Sequence, residues 1–306
     1  MANHFLNISD FSKEDLLSFL DRAQEWAGKL EKGEVKEQPL AGKVILTLFF
    51  ENSTRTRTSF EIAAQRLGAK VVNWDVSTSS MAKEESFLDT IQTLGAMKPD
   101  AVIVRHREYN APYFISTKLD CPVINAGDSY RAHPTQALLD ALTIQQSKRT
   151  IEGLSIAICG DIAHSRVANS NFVLLNKLGA NLRIIAPPSL MPEKMPVEGI
   201  ETFTNMDEGL QDCDVVMMLR IQKERMQSSQ IPDNKTYFQD YGLTKDRLKG
   251  AKSDVIVMHP GPMNRNIEIA EDLPDDPRYS VILKQVQNGV PARMSVLEWA
   301  LKEIKN

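Results

Sequence analysis

The sequence predicts an α/β protein of two doubly wound parallel-sheet domains with an interdomain cleft, closed by a C-terminal helix returning to the first domain. Three observations carry this. Short apolar or β-branched runs at 44–50, 70–74, 101–105 and 122–125 alternate with helical patterns near 54–67, 86–97 and 110–119, which implies a parallel sheet covered on both faces. After a long helical pattern over Pro134–Lys148 the alternation restarts, with strand-like runs at 155–159, 181–186, 215–219 and 255–258 and helical patterns at 165–178 and 240–249. Finally, ligands of such open sheets bind beyond the carboxyl ends of the strands, where this chain concentrates hydroxyl, arginine and histidine side chains.

The chain opens with an amphipathic pattern over 12–30, where Leu16, Leu17, Leu20, Ala23, Trp26, Ala27 and Leu30 fall at helical spacing behind Ser12, an N-cap with Asp15 three residues on. The helix over Pro134–Lys148, with Ala137, Leu138, Ala141, Leu142 and Ile144 on one side, links the two domains. The stretch 280–301 reads as a closing helical segment interrupted near Gly289 and Pro291, because proline lacks the N–H that an unbroken helix uses.

Composition narrows the functional classes. With 306 residues, 42% hydrophobic and 25% charged, disordered and fibrous classes are excluded. A formal net charge of −4 gives no bulk attraction to nucleic acid or an anionic membrane, so positive charge that matters must be local and serve a small anion. Cys121, Cys159 and Cys213 are odd in number and far apart, which argues for reduced, mostly buried thiols over disulfides or structural zinc. No apolar run approaches the ~18 residues of a membrane span, and the first ten residues lack a basic start followed by an apolar stretch. A cytoplasmic protein without nucleic-acid or membrane partners is expected.

Ser53-Thr54-Arg55-Thr56-Arg57 follows the first strand and opens a helix. Such a turn presents unpaired N–H groups and a positive dipole end, and arginine adds a planar fork matching phosphate oxygens. A plain Ser/Thr cap with solvated arginines reads the stretch equally well by itself. Later strand ends supply Arg105-His106-Arg107, then Asn125-Ala126-Gly127-Asp128 and His133-Pro134-Thr135-Gln136, then 160–166, Arg220-Ile221-Gln222 and His259-Pro260-Gly261-Pro262. The Gly160-Asp161 turn lacks the G-x-G-x-x-G spacing of a dinucleotide site. Asp128, Asp161 and Glu268 show no metal-ligand spacing with any of the five histidines, so neither metal nor cofactor is expected.

Together the S-T-R-T-R stretch, Arg105-His106, H-P-T-Q and Arg220-x-Gln222 resemble the transcarbamylase family over essentially the whole chain and in the right order. The resemblance implies a carbamoyl-phosphate-binding domain over 1–134, completed by a C-terminal helix at 286–306, and an aspartate-binding domain over 135–285. It implies transfer of the carbamoyl group of carbamoyl phosphate to the α-amine of L-aspartate, giving N-carbamoyl-L-aspartate and phosphate, an early step of de novo pyrimidine biosynthesis. It further implies a homotrimer with active sites shared between neighbours. Whether such a trimer works alone or joins regulatory chains or a dihydroorotase is left open.

By the same resemblance, Ser53, Thr54, Arg55, Thr56 and Arg105 meet the phosphate. Thr56, Arg105 and His133 meet the carbonyl oxygen, and Gln136 with the backbone carbonyls around Pro260, Gly261 and Pro262 meets the amino group. Arg166, Arg220 and Gln222 contact aspartate. The loop at 77–86 contributes Lys83 and either Ser79 or Ser80 from a neighbouring subunit, although Glu84 stands where the family usually has glycine. Glu51 pairs with Arg166 and Arg225 in a closed state, or else acts as a helix N-terminal charge. Ser129 and Ala132 replace a usual glycine and a common glutamine.

The residue types suit the chemistry. Negative charge builds on the carbonyl oxygen and then on the departing phosphate, and each preorganised donor aimed there is worth about 10² to 10³ in rate. Ornithine enzymes carry a cysteine in an H-C-L-P turn where this chain has H-P-G-P, which favours aspartate. A transcarbamylase for another amine, or a silent phosphate-binding homologue, are the alternatives. The second would be expected to have lost Arg55, Lys83, Arg105 or His133, and all four are present.

Overall fold

The computed structural model describes residues 2–75, 86–222 and 233–302. The chain divides into two compact units, one formed by the chain up to Leu142 together with the chain from Gln287 onward, the other by Thr143–Val286.

The first unit begins with α1 (Lys13–Glu31), whose Ser12 side chain accepts from Asp15 N–H while Asp15 Oδ2 accepts from Ser12 N–H at 2.9 Å. This is the capping box that the sequence signals. Four strands, β1 (Val44–Phe49), β2 (Lys70–Asp75), β3 (Ala101–His106) and β4 (Val123–Asp128), form an all-parallel sheet of order β2-β1-β3-β4. The helices between them are α2 (Thr54–Arg66), α3 (Phe87–Ala96) and α4 (Ala111–Ser116). β1 and the first four residues of β3 are almost wholly apolar because these strands are central and covered on both faces. Leu46, Leu48, Val102 and Val104 pack with Ile91 and Leu94 of α3 and Ile115 of α4.

In the second unit β5 (Ser155–Cys159), β6 (Asn181–Ile185), β7 (Glu201–Phe203), β8 (Val215–Met218) and β9 (Ile256–Met258) form a parallel sheet of order β7-β6-β5-β8-β9. Its helices include α6 (Arg166–Lys177), α7 (Met206–Gly209) and α8 (Asn234–Tyr241). α5 (Pro134–Lys148) and α9 (Ile282–Leu301) each contribute residues to both units. The core gathers Ala157, Val216, Met218 and Val257 with Cys159 and Cys213. Burial pushes both thiols up, keeping them protonated and unreactive.

Three elements depart from expectation. β7 carries no apolar run to betray it, being a short edge strand with Glu201 and Thr202 exposed. The helix expected over 240–249 is instead α8, which ends at Tyr241, and a short 3₁₀ turn at Arg247–Gly250. Between them Leu243 donates to Glu268 O at 3.0 Å and accepts from Ala270 N–H at 2.9 Å, committing its backbone groups to a bridge rather than a helix. α9 runs unbroken through Pro291, where an interruption was expected. Ala292, Met294, Val296, Leu297 and Ala300 are buried, and packing holds the helix across its missing hydrogen bond.

The C-terminal part of α9 returns to the first unit as expected. Arg22 of α1 grips both Glu298 oxygens at 2.8 Å, and Trp26 Nε1 donates to Glu298 Oε2 at 2.9 Å. Trp299 meets Phe5, Phe11 and Phe19 edge-on at 5.3 to 6.2 Å. Because bidentate Arg–carboxylate geometry is directional, it sets the helix's register as well as holding it.

Candidate active site

Both sheets have a topological switch point. In the first, the chain runs from β1 outward to β2, then back to β3 and β4 on the other side, so the switch lies between β1 and β3. The residues following these strand ends are the ones the sequence singles out.

After β1, Ser53 occupies the N-cap of α2, yet its side chain makes no capping hydrogen bond. The plain-cap reading therefore does not describe Ser53. Thr54 and Arg55 are exposed on the first turn, whereas Thr56 is buried. Arg57 Nε pairs with Glu61 Oε1 at 3.1 Å one turn along its own helix.

At the end of β3, strand alternation sends Arg105 and His106 to opposite faces. His106 packs at a tilt against Phe50 and Phe87 with ring centroids 4.6 and 5.2 Å away, and its Nδ1 accepts from Glu108 N–H. Burial lowers its pKa, so it serves as a neutral packing group. Arg105 instead points to the first turn of α2. Its Nη1 lies 3.4 Å from Thr56 Oγ1 and from Ala126 O. Its Nε lies 2.7 Å from Glu51 Oε1, an ion pair by distance but outside hydrogen-bonding alignment.

The loop after β4 delivers His133. Asp128 is fully buried, accepting from Asn110 N–H at 2.8 Å and pairing with Arg131 at 3.0 Å. Ser129 adopts φ +47°, the left-handed conformation that explains why glycine is usual at this position. His133 Nε2 then lies 3.5 Å from Thr56 Oγ1. Thr56, Arg105 and His133, reached from three neighbouring strand ends, thus converge with separations too long for strong mutual hydrogen bonds. Gln136, one turn into α5 and buried, donates from Nε2 to Asp140 Oδ1 at 2.9 Å.

In the second unit the switch point lies between β5 and β8. Gly160 ends β5 at φ +118°, and a Cβ there would sit 2.6 Å from Leu219 O, so only glycine permits the two strand ends to approach this closely. Asp161 follows, fully buried. Its Oδ2 accepts from Gln222 N–H at 2.9 Å, and its Oδ1 lies 2.7 Å from His164 Nδ1. Arg220 Nη2 donates to Gln222 Oε1 at 3.4 Å, which brings the two predicted aspartate contacts side by side. Arg166 is the first residue of α6, buried, behind Ser165, whose hydroxyl caps Ala168 N–H.

The turn after β9 is built around His259. Its Nδ1 accepts from Gly261 N–H at 2.9 Å, so Nε2 carries the proton and faces Glu268 Oε1 at 3.1 Å. His259 and Glu268 are both buried, and His259 N–H donates to Gln285 Oε1. This frame holds Pro260, Gly261 at φ +65° and Pro262, with a cis peptide between the last two.

Ser79, Ser80, Lys83, Glu84 and Arg225 lie outside the described residues. Among the described residues no three His, Cys, Asp or Glu side chains gather to hold a metal ion. The sequence reading missed four supporting groups: Asp140, Asp161, Glu268 and the contact of Glu51 with Arg105. Only Asp140 carried a local signal, since glutamine and aspartate four apart on a helix face one another. Glu268 meets His259 nine residues away within the turn after β9, whereas Asp161 with Gln222 and Glu51 with Arg105 are brought together by strand order.

A chain of two parallel α/β units, each with a switch point where polar and cationic side chains gather, belongs to the class that binds ligands at strand ends, and family models describe it more closely. Residues 3–146 match "Aspartate/ornithine carbamoyltransferase, carbamoyl-P binding domain" and residues 152–300 match "Aspartate/ornithine carbamoyltransferase, Asp/Orn binding domain". The chain belongs to the aspartate/ornithine carbamoyltransferase family. It is 51% identical to an aspartate carbamoyltransferase catalytic subunit of Methylorubrum populi, covering 99% of this chain and 96% of that one. It is 50% identical to the corresponding subunit of Brucella anthropi, covering 99% and 94%. Among solved structures, aspartate transcarbamoylase of Trypanosoma cruzi with carbamoyl phosphate and aspartate superposes with TM-score 0.87 at 32% identity, covering 97% of this chain and 96% of that one. Ornithine carbamoyltransferase of Pyrococcus furiosus gives 0.90 at 26% identity, covering 99% and 98%. The backbone is thus common to both substrate classes, and side chains must separate them.

Proposed function

We propose that the chain is an aspartate carbamoyltransferase, forming N-carbamoyl-L-aspartate and phosphate from carbamoyl phosphate and L-aspartate. The observation that carries this is the convergence of Thr56 Oγ1, Arg105 Nη1 and His133 Nε2. The domain expected over 1–134, completed by 286–306, binds carbamoyl phosphate, and the domain expected over 135–285 binds aspartate. Ser53, Thr54, Arg55, Thr56 and Arg105 take the phosphate. Thr56, Arg105 and His133 take the carbonyl oxygen. Gln136 and the carbonyls around Pro260, Gly261 and Pro262 take the amino group. Arg166, Arg220 and Gln222 clamp the aspartate carboxylates.

When the unprotonated α-amine attacks the carbonyl carbon, the C=O π pair moves to oxygen, where three donors converge. Collapse of the tetrahedral species restores the carbonyl and expels phosphate, which accepts the proton lost by the attacking nitrogen. No acyl-enzyme is required, because the acyl phosphate is already activated. Holding amine and carbonyl together supplies about 7 to 11 kcal/mol of the barrier.

Support for aspartate over ornithine comes from the relatives' names, from the Arg220-x-Gln222 pair and from Pro260 in place of the ornithine enzymes' cysteine. Purified protein supplied with carbamoyl phosphate is expected to carbamoylate aspartate and not ornithine. Product formed with ornithine alone would overturn the assignment.

The working form in this reading is a cytoplasmic homotrimer whose neighbouring chain supplies Lys83 and either Ser79 or Ser80. No helix among the described residues is long and apolar enough to cross a membrane. Mixing inactive Lys83→Ala chains with inactive Arg55→Ala chains is expected to restore part of the activity, because some hybrid sites then receive both native residues. If mixtures in every proportion remain inactive, each site is built from one chain.

A further inference from the structure

On the reading above, in which Gln136 meets the amino group of carbamoyl phosphate, we infer that Asp140 is a positioning residue. It holds back the Gln136 amide NH₂ so that only the amide oxygen faces the substrate.

The substrate's amino group can only donate hydrogen bonds, since its lone pair is delocalised into the carbonyl. It needs an acceptor. A glutamine amide is nearly symmetric in shape and presents either an acceptor or a second donor, depending on which way it is turned. Asp140 removes that choice. Its carboxylate only accepts, it lies one helical turn beyond Gln136, and its Oδ1 takes the Gln136 Nε2 hydrogen at 2.9 Å. Gln136 is 8% exposed and Asp140 0%, so water does not compete at the carboxylate. With Nε2 so engaged, the Gln136 oxygen is the atom that this proposal assigns to accept from the substrate.

A buried carboxylate is costly unless compensated. Arg293 of α9 is 2% exposed, and its electrostatic interaction with Asp140 is favourable. Its guanidinium lies over the Phe60 ring at 4.9 Å, and its Nη1 donates to Gly289 O at 3.0 Å. A Cβ on Gly289 would come within 2.6 Å of that Nη1, so glycine leaves the space the guanidinium uses. Burial pulls the Arg293 pKa down to about 9, and the charge that opposes this is Asp140. Arg293 also stays protonated at neutral pH. The C-terminal helix thereby reaches the carbamoyl-phosphate unit in two ways, through Trp299 and Glu298 as packing and through Arg293 as electrostatics.

The test compares two acyl phosphates that differ only at the group Gln136 meets. Carbamoyl phosphate carries NH₂ and acetyl phosphate carries CH₃. In Asp140→Asn the amide of Gln136 is no longer restricted to one orientation. The ratio of the KM for carbamoyl phosphate to the competitive Ki of acetyl phosphate is expected to rise about five- to tenfold, the worth of one hydrogen bond. Acetyl phosphate itself should bind within about twofold of its affinity for the unaltered chain. A merely structural role would weaken both ligands alike and leave the ratio unmoved, which overturns the proposal, as would an unchanged KM. If Asp140→Asn does not fold because Arg293 is left uncompensated, Asp140→Asn with Arg293→Met removes both charges and is expected to show the same rise in ratio. Gln136→Ala should show it too, and adding Asp140→Asn to it should change the ratio no further. Failure of the unaltered chain to use carbamoyl phosphate would overturn the reading of the site itself, and is measured first.

Discussion

Arg105→Ala is expected to lower kcat by about 10³ with the fold retained. In the proposed reading Arg105 and Thr56 both serve the two charges that develop during the reaction, first on the carbonyl oxygen and then on the leaving phosphate, and of the two only Arg105 carries a positive charge. Its Nη1 stands 3.4 Å from Thr56 Oγ1, which in turn stands 3.5 Å from His133 Nε2. Removing a single preorganised donor costs about 10² to 10³ in rate, and a fixed positive charge beside a departing phosphate adds to that. Arg105→Lys restores charge without the planar fork and should recover only part of the loss. Initial rates of carbamoyl-aspartate formation, with circular dichroism as the check on folding, decide the matter. A loss below tenfold would take Arg105 out of the reaction. Arg105→Ala also removes the ion pair with Glu51, a half-buried carboxylate, so the circular dichroism check is run alongside thermal unfolding.

Arg220→Ala should fall on the other substrate. The guanidinium at the end of β8 is held beside Gln222 at 3.4 Å, and Gln222 is itself fixed by the Asp161 carboxylate at 2.9 Å. A charge-assisted contact to a carboxylate is worth about 1.5 to 3 kcal/mol, so kcat/KM for aspartate is expected to fall about 10- to 100-fold. The KM for carbamoyl phosphate should stay within about twofold, because none of its proposed contacts comes from Arg220. Steady-state kinetics with each substrate varied in turn separates the two effects. Unchanged dependence on aspartate would contradict the clamp.

Much of the architecture was legible because parallel sheets write themselves as periodic apolar runs. β1, β3, β5 and β8 are covered on both faces and so stand out as continuous hydrophobic segments. β7 did not stand out, since an exposed edge strand of three residues has no burial to impose a pattern. The continuity of α9 through Pro291 was misread for the opposite reason. Local chemistry argues for a break, and only the buried side chains around Arg293 and Met294 outweigh it.

The sequence alone determined the alternation of strands and helices, the hydroxyl and arginine motifs at their ends, and a resemblance specific enough to name the family, because each is a property of residues close together along the chain. Tertiary structure decided which of those residues meet. Strand order β2-β1-β3-β4 sets the ends of β1, β3 and β4 side by side, bringing Thr56, Arg105 and His133 together although they are far apart in sequence. The same ordering in the second sheet sets Asp161 against Gln222, and the return of α9 sets Glu298 against Arg22 and Trp26. Such contacts depend on neighbours across a sheet or between helices, and no local pattern of side chains encodes them.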